Sequence, residues 1–267
     1  IASAMRVRLA RRDDVAPTRV EASTTTRRSM LPSQPHAPDS DCGLDPGGSD
    51  SPVVRACEAG REVRRAYDLL VTDPTAIGLL LAAGAGTRMG RPKALVRDDA
   101  GRPWLHRAID ALRDGGCDHV IVVLGARAEE AERLLDGMAV TVVVAGDWSE
   151  GMSASLRTGL LAATDYVERT PQDVGAVVVT LVDLPDVDAR VVERVIRQVG
   201  TDPSALGRAT YDDSPGHPVL IGLDHVEGVL GTTAEDKGAR DYLREQGLTL
   251  VECSDLATGR DVDSPPA

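Results

Sequence analysis

The chain has 267 residues, 42% hydrophobic and 27% charged, a globular balance that allows one large domain or two small ones. No apolar run is long enough for a membrane-spanning helix, so no membrane partner is expected. A net charge of −12 and an aromatic content of 2% argue against nucleic acid as a partner, which needs a cationic face and stacking rings. Phe is absent, so the core must be built from Val, Leu, Ala and Ile. Cys42, Cys57, Cys117 and Cys253 are scattered without a C-x-x-C pair. That pattern supports neither zinc nor iron–sulfur ligation and suits reduced thiols in a cytoplasmic protein.

Residues 1–75 carry eleven charges of each sign, so the full net charge falls on residues 76–267. Residues 17–52 are rich in Ser, Thr, Pro, Asp and Gly, a composition that buries too little surface to offset ordering entropy and predicts disorder. Only residues 53–70 have the spacing of a helix. Residues 1–75 are thus expected to be a disordered extension, and because the first residue is Ile1 and not Met, one expectation is that residues 1 to about 70 are upstream sequence, with translation starting near Val71. Residues 76–267 are expected to form the functional domain. It begins with a short buried strand at 77–81. Continuous β-branched runs at 119–124, 140–145 and 176–182 have the pattern of strands covered on both faces of a parallel sheet. Helical candidates at 104–114, 127–136, 153–164 and 188–199 alternate with them. The alternation predicts a doubly wound α/β fold, in which ligands bind beyond the carboxyl ends of the strands. Those ends carry residues 83–90, Gly125, Gly146, Asp147 and Asp183, so a composite site is expected there. After Gly207 come shorter apolar pieces at 209–211 and 218–221, a helix near 237–245 and a last strand at 248–251.

Leu81, Ala82 and Ala83 lead from the first strand into a loop holding Gly84, Gly86, Thr87, Arg88, Gly90 and Lys93. Such a loop suits phosphate, because glycines let the backbone approach an anion, exposed N–H groups donate to it and the cations neutralise it. The spacing is one residue longer than the dinucleotide fingerprint, and Gly-Lys-Ser/Thr is missing, so neither of those motifs applies. The glycines alone fit a structural turn nearly as well. Asp183 is either a turn-forming acid before Leu184 and Pro185 or a ligand. Ser153 and Ser155 suit a substrate contact or a helix N-cap. His217, between Gly216 and Pro218, suits loop shaping or substrate positioning better than general-base work. Arg240 fits an anion contact or a surface helix equally. No Ser-His-Asp or Cys-His set stands out.

The whole string LAAGAGTRMGRPKAL, residues 81–95, closely resembles the N-terminal signature of nucleotidyltransferases related to molybdenum cofactor synthesis. Further matches follow in order: EGMSASLRTGL at 150–160, TLVDLPDVD at 180–188, PGHPVLI at 215–221, DKGAR at 236–240 and DVDSP at 261–265. Together they resemble the cytidylyltransferase branch, over residues 76–266. The resemblance implies a Rossmann-like, mostly parallel, three-layer α/β/α fold of nucleotidyltransferase type. It also implies Arg88 and Lys93 as catalytic cations and a nucleotide seat at Leu81, Ala82, Ala83, Gly84, Gly86, Thr87 and Gly90. Asp183 then matches a Mg²⁺ ligand, with Asp263 as the second, or Asp261. The implied substrates are CTP and the phosphate of molybdenum-molybdopterin, with a molybdenum hydroxylase as recipient. Guanylyltransferase relatives carry L-A-G-G and an acid before the lysine, where this chain has Ala82, Ala83, Gly84 and Pro92; that difference favours a pyrimidine. Glu235 replaces the family's usual glycine, which bears on the acceptor. The alternatives are a GTP-, phosphosugar- or phospholactate-using relative, or a catalytically silent cofactor carrier.

Overall fold

The computed structural model describes residues 7–9, 73–232 and 240–264. The expected disorder at 17–52, the helix candidate at 53–70, the translation start and most of DKGAR lie outside these residues. In chain order the described elements are β1 (Val7–Leu9), β2 (Thr75–Ala82), α1 (Trp104–Asp114), β3 (Cys117–Leu124), α2 (Ala128–Arg133), β4 (Thr141–Val144) and α3 (Met152–Arg169). There follow β5 (Val174–Leu181), α4 (Ala189–Val199), β6 (Leu206–Tyr211), β7 (Ser214–Gly222), α5 (Leu223–Thr232), α6 (Arg240–Glu245) and β8 (Thr249–Glu252).

The strands form one mixed sheet in the order β1-β4-β3-β2-β5-β7-β6-β8. β2 to β5 run parallel, as do β6 and β8; β7 is antiparallel to β5 and β6, and β1 closes the β4 edge antiparallel. The sequence reading placed no strand at Val7–Leu9. Side chains of β2 alternate between two apolar layers. Ala76, Leu80 and Ala82 pack with Leu105, Ile109, Val191 and Val195 of α1 and α4, whereas Ile77, Leu79 and Leu81 pack with Leu156, Leu160 and Val226 of α3 and α5. Strands covered on both faces explain why their sequences are unbroken runs of Val, Ile and Leu. The three-layer α/β/α arrangement expected from the sequence is present.

Several boundaries differ for physical reasons. β7 begins at Ser214 and not near Pro218, because Pro215, Gly216 and the Asp212–Asp213 turn belong to a tight hairpin. Asp212 and Asp213 both have left-handed φ, 47° and 63°, as a two-residue hairpin turn of matching twist requires. Helix α5 lacks a sequence counterpart because its two glycines, Gly228 and Gly231, weaken the helical signal. The order of connections reverses between β2 and β5: β3 and β4 lie to one side of β2 and β5 to the other. A crevice at such a reversal is where open α/β sheets bind ligands.

Candidate active site

The crevice beyond β2 and β5 is a cleft of about 470 Å³. Its first wall is the loop after β2. The loop's base is tied to the neighbouring strand end by the Ala126 N–H, which donates to the Ala83 carbonyl at 2.9 Å. Gly86 has φ 59°, and a Cβ there would lie 2.0 Å from the Arg91 carbonyl oxygen, so only glycine allows the loop to fold this tightly upon itself. The chain then enters a 3-10 turn, Lys93–Leu95, whose buried Ala94 anchors it to the core. This turn aims Lys93 back into the cleft.

The second wall comes from β5 and the C-terminal segment. Asp183 stands two residues past the end of β5 and is only 8% exposed. The Val262 N–H donates to the Asp183 carbonyl at 3.0 Å, and the Thr258 N–H and hydroxyl both donate to Asp186 at 2.6 Å. These bonds lay residues 258–263 along the β5 loop and bring Asp263 opposite Lys93, 170 residues away in sequence. The Lys93 ammonium donates to Asp183 Oδ2 and, at 2.6 Å, to Asp263 Oδ1. Arg88, mostly exposed, donates to Asp263 Oδ2 at 2.6 Å. Burial disfavours the Lys93 charge, but the hydrogen bonds it donates to Asp183 and Asp263, with their negative charges, outweigh it and hold its pKa above the ordinary value. The same Lys93 bond, with its charge, holds the Asp263 carboxyl below the usual range.

One buried atom in this network has no partner: Asp183 Oδ1. Asp183, Asp261 and Asp263 also each offer an oxygen within 4.8 Å of the others. An orphaned carboxylate oxygen beside two further carboxylates is a hard, all-oxygen donor set that fits Mg²⁺ or Mn²⁺. Both candidates for the second ligand are thus within the cluster, and Asp263 alone of the two is bonded to Lys93 and Arg88.

The sequence-derived residues fall as follows. Leu81, Ala82, Ala83, Gly84, Gly86, Thr87, Arg88, Lys93, Asp183 and Asp263 all line the cleft, and so does Ser155. Gly90 instead shapes the loop's outer side, with φ 73°, and lines a separate surface cleft with Arg91 and Arg97. Ser153 is buried near the start of α3 and is not part of the cleft wall. The N-cap alternative for the two serines does not hold, since the cap is Gly151 and no side chain bonds there. His217 and Arg240 line a smaller cavity that shares Leu81 and Met152 with the main cleft. The sequence reading overlooked Trp148, Ser149, Met152 and Arg208. Trp148 is one of only two tryptophans in the chain and lies two residues before a matched motif, the signals that marked it. The cleft is lined both by charged residues, Arg88, Lys93, Asp183 and Asp263, and by apolar ones, Trp148, Met152 and Leu181.

Residues 78–250 match the model of the MobA-like NTP transferase domain. The chain belongs to this family. Among curated relatives, nicotine blue oxidoreductase of Paenarthrobacter nicotinovorans is 37% identical over 201 residues, 72% of this chain and 93% of that protein. Among solved structures, Rv0371c of Mycobacterium tuberculosis H37Rv is 26% identical with a TM-score of 0.58, covering 72% of this chain and 95% of its own. A structure of Rv0371c in complex with manganese aligns with a TM-score of 0.51 at 27% identity, over 67% of this chain and 86% of that one. The CTP:phosphocholine cytidylyltransferase of Streptococcus pneumoniae, at 15% identity and a TM-score of 0.52 over 72% of this chain and 95% of its own, shares the nucleotidyltransferase fold. Among the described residues of this MobA-like chain, no helix is long and apolar enough to cross a membrane.

Proposed function

We propose that the protein transfers CMP from CTP to the phosphate of molybdenum-molybdopterin, giving molybdopterin cytosine dinucleotide and pyrophosphate. The observation that carries the proposal is the meeting of Lys93 with Asp183 and Asp263 at the mouth of the Gly84–Gly86 loop. In this reaction an acceptor phosphate oxygen attacks the α-phosphorus, the bond from that phosphorus to the β-phosphate oxygen breaks, and the electron pair leaves on pyrophosphate. The backbone N–H groups of the glycine loop bind the triphosphate, while Lys93 and Arg88 neutralise the charge that gathers on the leaving pyrophosphate. Mg²⁺, when held by Asp183 and Asp263, supplies the charge neutralisation that lets two phosphates approach each other. The acceptor phosphate is already anionic, so none of these side chains needs to act as a general base.

The choice of CTP rests on the resemblance at Ala82, Ala83, Gly84 and Pro92, and the molybdopterin acceptor on the ordered motifs. A molybdenum hydroxylase would receive the product. A second reading comes from the relative named for the oxidation or reduction of nicotine blue, which matches this chain over most of its own length. The deciding experiment mixes the full chain with each NTP, Mg²⁺ and molybdenum-molybdopterin, then measures pyrophosphate and the product mass. Pyrophosphate with CTP above all other NTPs is expected. Cofactor binding without turnover would indicate a carrier, and in a parallel assay with nicotine blue and an electron donor or acceptor, turnover of the dye without NTP consumption would favour the redox reading.

A further inference from the structure

The smaller cavity beside the cleft, of about 110 Å³, has two arginines and a histidine in its lining and no carboxylate among the described residues that line it. Its walls are apolar, with Leu156, Val179, Val219 and Leu243 among them, and its polar groups are Arg208, His217 and Arg240. Arg208 projects from β6, and its Nε and Nη2 donate to the Gly216 carbonyl at 3.2 and 2.9 Å. That fork fixes the guanidinium plane and leaves Nη1 unbonded among the described residues. His217 is fixed in turn by the Tyr211 hydroxyl, which donates to its carbonyl at 2.7 Å. Burial, and then the nearby Arg240 charge, hold the Arg208 pKa below its ordinary value. Burial and Arg208 push His217 down to about 4, so its imidazole adds no further positive charge at neutral pH. Among the described residues no carboxylate pairs with Arg208 or Arg240.

Two neighbouring cations beside a cavity, one of them partly buried and neither paired with a carboxylate among the described residues, form a site that an anion completes. The cavity meets the nucleotide cleft at Leu81 and Met152, and neither Arg88 nor the glycines of the loop line it. We propose that it seats the far end of the acceptor: a compact apolar or planar body carrying a second anionic group, engaged by Arg208 and Arg240. The inference rests on the nucleotidyl-transfer reading and narrows its substrate class to acceptors that are anionic at both ends. Arg208 and Arg240 then select the acceptor and contribute nothing to nucleotide binding.

The test is calorimetric titration of the full chain, with CTP and Mg²⁺ and, separately, with benzoate, phenyl phosphate and uncharged benzyl alcohol as probes. At least one anionic probe should bind and benzyl alcohol should not; which anion binds identifies the acceptor's group. Arg208→Gln and Arg240→Gln should each weaken the anion about tenfold or more, the scale of a lost charge-assisted hydrogen bond, while CTP affinity stays at the parental value. Arg240 is exposed on a helix surface, so its variant keeps the test valid if Arg208→Gln fails to fold. The His217 ring resonance should also move on anion addition. Normal CTP binding with no anion binding, or anion binding unchanged in both variants, overturns the inference alone. Failure of the parent to bind CTP overturns the nucleotidyl-transfer reading and this inference with it.

Discussion

Replacing Gly86 by alanine tests whether the glycine loop works by holding Lys93 in register. Alanine at φ 59° carries left-handed strain of about 1–2 kcal/mol. The larger effect is steric: the new Cβ would lie 2.0 Å from the Arg91 carbonyl oxygen, where ordinary contact begins at 3.4 Å. Arg91 must therefore retreat by more than an ångström, and Lys93 is only two residues further on. A misplacement of about 1 Å in a catalytic array costs roughly 100-fold in rate. Gly90→Ala is the internal control, because Gly90 has a similar φ of 73° but open space around its Cβ position. The assay is pyrophosphate release from CTP, Mg²⁺ and molybdenum-molybdopterin, with thermal melting alongside. Gly86→Ala should lose about two orders of magnitude in turnover, and Gly90→Ala should lose little beyond the stability cost of its strain. Parental turnover by Gly86→Ala, or equal losses in the two variants, would refute the reasoning.

Lys93→Met keeps most of the side-chain volume but removes the cation between Asp183 and Asp263; turnover should fall by about 10²–10³-fold, read by the same pyrophosphate assay, with the fold retained by circular dichroism. His217 makes a pH prediction. Its folded pKa of about 4 lies below the ordinary 6.5, so between those values the unfolded chain takes up a proton that the native chain does not. Stability should be full above pH 6.5 and decline as pH falls towards 4, by up to ~3 kcal/mol from this residue, and urea unfolding of His217→Gln should show a shallower decline.

The parts of the site that were legible in sequence are those whose chemistry is local. Residues 81–93 hold their glycines and cations within one turn of chain, and Asp183 sits at a strand end that the run of β-branched residues marks clearly. Asp263 was accessible only through its resemblance to a known motif, because its place opposite Lys93 depends on hydrogen bonds from Thr258 and Val262 to the β5 loop. Arg208 has no distinguishing sequence context. Its proposed role rests on the β6–β7 hairpin, which sets it against the Gly216 carbonyl with Arg240 nearby. In the fold, the fully covered central strands were readable from composition, whereas β7 was obscured by prolines and glycines that ordinarily punctuate turns.

The central claim is that Asp183 anchors a divalent cation without which the loop binds a nucleotide but transfers nothing. Its most direct measurement compares pyrophosphate release by the parent and by Asp183→Ala with CTP, Mg²⁺ and molybdenum-molybdopterin. Release by the parent that EDTA abolishes is expected, with a loss of orders of magnitude in a variant that remains folded. Near-parental turnover by Asp183→Ala would contradict it.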